Sequence, residues 1–378
     1  MNFILMVLSY DIKYVIVACI LLLIYILFDN KTTNKIRIID FAAIIIMTGL
    51  SAFRYNVGTD FQSYLARYIH YNAYWNDISS KLTSEILFYK LCYAFSKLTD
   101  SPYGVFWLCA LILYPSLILF ARKISGRPSR IIACYVLLEF FGISNNILRQ
   151  AIAMELCMFA FFAWKNKRKF FAIIFSIMSV GFHLTAVIGI VLIVLSTFIK
   201  PSRQKLGVFL IISLAAFAGI QVFFIVIKYI PIINRYYHYF YEDMKLIMKI
   251  DCLGFFLFYL YISFWAFNYS ARIKEKMNEK ECIIFDRILS MLMLSLPITI
   301  CGTQMFYFNR IAMYLFQFAI VIIPQFYRAR YKNNLVTKVF LTCSLVIFLL
   351  FSNAASLDNT YWKYDFQWNA PYNYLQIK

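Results

Sequence analysis

Apolar runs of about 14 to 24 residues follow one another along nearly the whole chain, separated by short polar linkers. A bilayer core of about 30 Å needs about 20 helical residues, so runs of this length read as membrane spans. The pattern predicts an all-α, polytopic membrane protein with about twelve transmembrane helices. They fall near 12–28, 38–53, 101–121, 130–143, 147–164, 170–183, 184–199, 206–229, 251–270, 281–301, 310–327 and 335–352. No internal repeat or second domain is evident, so residues 1–378 are expected to form one membrane domain. No small-residue cleavage site follows the first run, which reads as an uncleaved first span.

Two hairpins break the regularity. Residues 130–164 and 170–199 each cross twice, yet the first leg of each has only about 14 residues, roughly 21 Å of helix. Their turns are expected below the membrane surface, where irregular backbone is tolerated only beside protein or a water-filled cavity. The first turn reads Ser144-Asn145-Asn146 and is followed by Arg149-Gln150; the second reads Gly181-Phe182-His183.

Composition agrees with a membrane protein: 62% of residues are hydrophobic, 15% are charged, and the mean hydropathy is +0.70. The charge of +19 would suggest nucleic acid on a soluble domain. Here 22 of the 37 Lys and Arg fall in six linkers, at 29–37, 122–130, 165–169, 200–205, 271–280 and 328–338. That is the signature of cytoplasmic loops, so no nucleic-acid partner is expected. Taking these linkers as cytoplasmic places both termini and all large loops on the other side: 54–100, 230–250 and the aromatic tail 353–378. Chemistry is expected on that face.

The segment Arg54-Tyr55-Asn56-Val57-Gly58-Thr59-Asp60 leaves the second span at once. Gly58 permits a sharp turn and Thr59 is a good N-cap for a helix opening at Asp60. On that helix Asp60 and Tyr64 share a face that Tyr68 and Tyr71 extend. A snorkelling Arg54, a capping Thr59 and an interfacial tyrosine belt are the simpler reading of the same residues. Arg149 lies near the start of a span, where a charged side chain costs roughly 2.5–3.5 kcal/mol and marks a functional candidate. A structural pair with Glu139 or Glu155 is the alternative. His183 stands at the tip of the second short hairpin, and Arg310 opens the eleventh span. Arg54, Arg149 and Arg310 are expected to converge at one mouth of the bundle, where guanidinium groups suit a phosphate or pyrophosphate. His70 and His238 sit in Tyr-rich loops and read as interfacial.

Other chemistries lack their motifs. No P-loop, GxGxxG, HExxH or GxSxG stands at a suitable place, and no DxD pair is present. No Cys/His spacing suits zinc, and the cysteines read as apolar fillers. No metal or cofactor is expected. A sugar donor, if there is one, must then be lipid-linked. The closing aromatic residues, from Tyr361 and Trp362 to Tyr374, suit either sugar stacking or interfacial anchoring.

Five stretches together resemble the EpsG family of bacterial polysaccharide polymerases, the Wzy-like enzymes. They are FRYNVGTDFQSY at 53–64, NNILRQAIA at 145–153, FHLTAV at 182–187, FNRIAMY at 308–314 and NAPYNY at 369–374. The resemblance implies a GT-C-like glycosyltransferase in the bacterial inner membrane, acting at the outer leaflet. Such an enzyme moves a growing glycan from undecaprenyl pyrophosphate to the non-reducing end of a lipid-linked repeat unit. It also implies a chain-length regulator as partner. Matching polar positions are Arg54, Gly58, Asp60, Tyr64, Arg149, His183 and Arg310. Arg149, His183 and Asp60 are the expected catalytic residues, with either His183 or Asp60 as base; Arg54, Arg310, Tyr64 and Gly58 are the expected substrate-binding ones. A polysaccharide ligase and a flippase for lipid-linked oligosaccharide are the rival readings.

Overall fold

The computed structural model describes residues 33, 35–76, 84–125, 127–227, 244, 246–275, 277–329, 331, 334–355 and 365–367. The expected span at 12–28, most of the 230–250 loop with His238, and the tail residues 368–378 with the NAPYNY stretch lie outside them.

The described chain is helical apart from one two-stranded ladder. In order it forms α1 (Ile38–Ala52), β1 (Arg54–Tyr55), α2 (Phe61–Ala73), α3 (Ile86–Ser96), α4 (Gly104–Ser125), α5 (Pro128–Leu137), α6 (Phe140–Asn146), α7 (Leu148–Lys165) and α8 (Lys169–Phe182). Then follow α9 (Ala186–Ser196), α10 (Arg203–Ile227), α11 (Leu246–Lys274), α12 (Glu279–Cys301), α13 (Phe306–Phe316), α14 (Ala319–Phe326), α15 (Asn334–Ala355) and β2 (Asp365–Phe366).

Five of these helices are long and apolar enough to cross a bilayer: α4, α10 over Arg203–Ile220, α11, α12, and α15 over Asn334–Ser352. α13 and α14 make a sixth if taken as one span bent by 56°. The chain is thus a polytopic helical membrane protein. The fold supports neither a count of twelve nor a GT-C arrangement in particular, because several expected spans are short or broken. Ile38–Ala52, Pro128–Leu137, Lys169–Phe182 and Ala186–Ser196 are apolar helices of 10 to 15 residues. The expected span at 130–143 is broken at Glu139, whose φ of +64° is left-handed and cannot continue a right-handed helix.

Two compact units lie within the span expected as a single domain: Met1–Val187 with Leu357–Lys378, and Ile188–Ser356. In the first, α4 and α7 carry most of the core, with α1 against α4 and α8 against α7. Within the stretch expected as a loop at 54–100, α2 and α3 pack on each other and on α4. In the second, α12 packs against α10, α11 and α13, and Tyr259 of α11 stacks on Phe316 of α13 at 3.4 Å. Exposed Phe170 and Ile177 of α8, Ile211 and Leu214 of α10, and Val336 and Ile347 of α15 give these helices apolar outer faces suited to lipid.

Candidate active site

The turn after α1 is built around an arginine that never reaches solvent. Arg54 is fully buried, with its guanidinium 4.5 Å from the ring of Phe106. It donates to the Ser51 carbonyl, to Ser51 Oγ at 3.1 Å and to the Asn145 carbonyl at 2.9 Å. Ser51 Oγ in turn donates to Asn145 Oδ1 at 2.6 Å. Asn145 belongs to the first hairpin tip, where Ser144 also meets Tyr114 at 3.1 Å. The tip, at the end of α6, is therefore buried in protein.

Asn146, the next tip residue, caps α2 from outside. Its Oδ1 accepts from the Asp60 amide at 2.9 Å and from Thr59 Oγ1 at 3.1 Å. The helix thus opens at Phe61 with Asp60 as its N-cap residue, and the capping oxygen comes from Asn146 where Thr59 was expected to supply it. Gly58 makes this docking possible. Its φ is +90°, and a Cβ there would stand 3.0 Å from Asn146 Oδ1 and 3.3 Å from Asn146 Cα. Gly58→Ala is expected to destabilise the protein by about 1–3 kcal/mol. A melting curve in detergent would show this as a Tm lower by several degrees, and an unchanged Tm would remove the requirement for glycine.

Past this turn, α2 carries Tyr64, buried against Phe88 of α3. Burial raises the Tyr64 hydroxyl pKa; Arg149 lowers it in part, and Asp60 adds to the rise. The Arg149 guanidinium lies 5.6 Å from the Tyr64 ring and 5.8 Å from that of Phe88. It donates to Tyr89 Oη at 3.1 Å and forms an ion pair with Glu85. Neither Glu139 nor Glu155, its neighbours in sequence, is that partner; Glu155 instead accepts from Ser116 Oγ at 3.0 Å.

Glu85 joins the second short hairpin to the first. One carboxylate oxygen meets Arg149 Nη1 and the other meets His183 Nδ1. His183 reaches this point because Gly181, two residues before it, lets α8 lie close against α3. A Cβ at position 181 would stand 2.9 Å from Leu87 Cβ. The Arg149, Glu85 and His183 side chains are 16%, 11% and 23% exposed, so each is partly open to its surroundings. Burial acts to raise the Glu85 carboxyl pKa, but the His183 hydrogen bond and the Arg149 charge outweigh it, and the group titrates below its ordinary value.

Beside this cluster lies a cleft lined by aromatic rings and two arginines: Tyr64, Tyr68, Tyr71 and Tyr89 with Arg67 and Arg149. Tyr71 stacks on Tyr89 with ring centres 4.3 Å apart. Burial pushes the Tyr68 and Tyr89 hydroxyls up to about 12, so both stay protonated near neutral pH and neither serves as a base there. The cleft is narrow, with space for about one water molecule, and Arg149 is the member of the cluster that lines it.

Of the seven expected residues, Arg54, Gly58, Asp60, Tyr64, Arg149 and His183 all lie in the first unit. Arg149 and His183 meet through Glu85, and Asp60 stands one turn before Tyr64 at the N-cap of α2. Arg54 and Gly58 form the turn that seats α2 on the first hairpin tip. Arg310 belongs to the second unit, where its guanidinium lies 5.5 Å from the Phe306 ring and 5.6 Å from that of Tyr307. Glu85, Tyr89 and Arg67 went unmarked in the sequence. The one signal for Glu85 and Tyr89 is the stretch Glu85-Ile86-Leu87-Phe88-Tyr89, an acid opening an apolar run inside a polar loop. Among the described residues no three His, Cys, Asp or Glu side chains gather as a metal ion requires.

No curated protein and no solved structure gives a significant match to the chain. A family model described as the EpsG family matches residues 37–366.

Proposed function

Because the chain belongs to the EpsG family, we propose that it is a polysaccharide polymerase that joins lipid-linked repeat units. The donor is a growing glycan on undecaprenyl pyrophosphate, and the acceptor is a new lipid-linked unit at the outer face of the bacterial inner membrane. The observation that carries this reading is the Arg149–Glu85–His183 cluster beside a tyrosine-lined cleft.

The transfer needs three things from the protein. The acceptor hydroxyl must lose its proton, the bond between the donor's anomeric carbon and its phosphate oxygen must break, and the departing pyrophosphate must keep the electron pair. In this reading Arg149 faces the pyrophosphate and stabilises the charge that grows on it, with no divalent metal. His183 takes the hydroxyl proton as its oxygen attacks the anomeric carbon. Asp60 orients a sugar, and Tyr64 forms part of the floor against which Arg149 lies. Arg54 and Gly58 act through the turn they hold, since Arg54 is enclosed by protein. Polysaccharide of different lengths then depends on a partner that regulates chain length.

Deleting the gene and complementing it with the wild-type copy tests the reading on a gel of surface polysaccharide. The expected result is a ladder that collapses to a single repeat unit in the deletion and returns with wild type. A complete lipid-linked polymer left untransferred would point to a ligase. Repeat units trapped on the inner leaflet would point to a flippase. An unchanged ladder would end the proposal.

A further inference from the structure

We propose that Glu85 is a positioning residue of this site, holding His183 in the one tautomer able to accept a proton while keeping Arg149 beside it. The inference rests on the polymerase reading above and adds a residue to it. A carboxylate accepts hydrogen bonds and has no proton to give, so the ring nitrogen facing Glu85, Nδ1, must carry its hydrogen. The proton-accepting lone pair is then on Nε2. The second carboxylate oxygen is engaged by Arg149 Nη1, so one side chain sets both the base and the cation.

The backbone supports the same assignment. Glu85 has φ +58°, a left-handed conformation uncommon for a residue with a side chain. It stands at the N-cap of α3 without capping that helix through its side chain. Its carboxylate is turned to Arg149 and His183, which lie 64 and 98 residues away in the chain. Its lowered pKa keeps the carboxylate ionised near neutral pH. The two candidate bases differ in setting: His183 bonds the Glu85 carboxylate, whereas Asp60 stands at the N-cap of α2.

The test uses the full-length protein in proteoliposomes, with lipid-linked repeat units extracted from the deletion strain as substrate. Glu85→Gln keeps the shape and removes the charge. It is expected to lower kcat by about 10²–10⁴-fold, the usual range for general base catalysis, with KM little changed. Glu85→Asp should recover part of that loss. The combined Glu85→Gln and His183→Ala variant should be no slower than the worse single variant, because residues acting as a unit are not additive.

A Glu85→Gln protein as active as wild type, beside an inactive His183→Ala protein, would overturn the inference and leave the polymerase reading standing. Losses that multiply in the double variant, or that fall on KM alone, would also overturn it. An unaffected His183→Ala protein would remove the base assignment and this inference together. If Glu85→Gln fails to reach the membrane, the same cycle is run with Glu85→Ala and judged by the same outcomes.

Discussion

Replacing Arg149 with alanine is expected to abolish long-chain polysaccharide while the protein still reaches the membrane. Losing a donor that stabilises transition-state charge costs about 10²–10³ in rate. A polymer of many units multiplies such a loss at every addition, so the gel should show only the shortest products. Arg149→Lys separates charge from shape. Lysine keeps the charge but lacks the planar fork that meets two oxygens at once; in the resting site Nη1 alone bonds both Glu85 and Tyr89. Short chains with Lys and almost none with Ala are therefore expected, with equal protein in the membrane by blot. A normal ladder from Arg149→Ala would remove the pyrophosphate role.

The largest effect on stability is expected at Asp40. Its carboxylate is completely buried and takes two bonds from Arg122 of α4, at 2.9 and 2.6 Å, as well as the Arg37 amide at 2.9 Å. Arg122 is itself 1% exposed. Asp40→Ala leaves an enclosed guanidinium without the carboxylate that compensates it, a change that costs about 3–5 kcal/mol. Thermal unfolding of the detergent-solubilised protein should show a marked fall in Tm. Pairing it with Arg122→Leu should restore most of the loss, because a buried ion pair is often replaceable by apolar side chains. A double variant as unstable as the single one would show that the deficit lies elsewhere.

The sequence made some of this architecture legible and hid the rest for definite reasons. The two short hairpins stood out because their legs are too brief for a bilayer, and the first of their tips proves to be buried and hydrogen-bonded to the α1–α2 turn. The broken helices did not stand out. Nothing in the apolar run Ile131 to Phe141 marks Glu139 as left-handed, so the sequence reads as one span where Glu139 separates α5 from α6. Arg54 resembled a ligand because an arginine at a span's edge is compatible with binding; only the positions of Phe106 and Asn145 reveal that it is enclosed. Glu85 was missed for a related reason. The acids close to Arg149 in sequence, Glu139 and Glu155, are not its partners; the carboxylate that meets it lies 64 residues before, in a stretch with no motif.

The short ladder between β1 and β2 bears on how the protein is made. Asp365 and Phe366 pair with Tyr55 and Arg54, and Gln367 adds bonds to the Phe53 and Ala52 carbonyls at 2.9 and 2.6 Å. These partners leave the ribosome more than three hundred residues apart, with the whole of 188–356 translated between them. The turn that seats α2 therefore waits with an open strand edge throughout that interval. It can be closed only after residues 365–367 emerge, so completing the unit that holds Arg149 and His183 depends on a segment translated after the whole of the second unit.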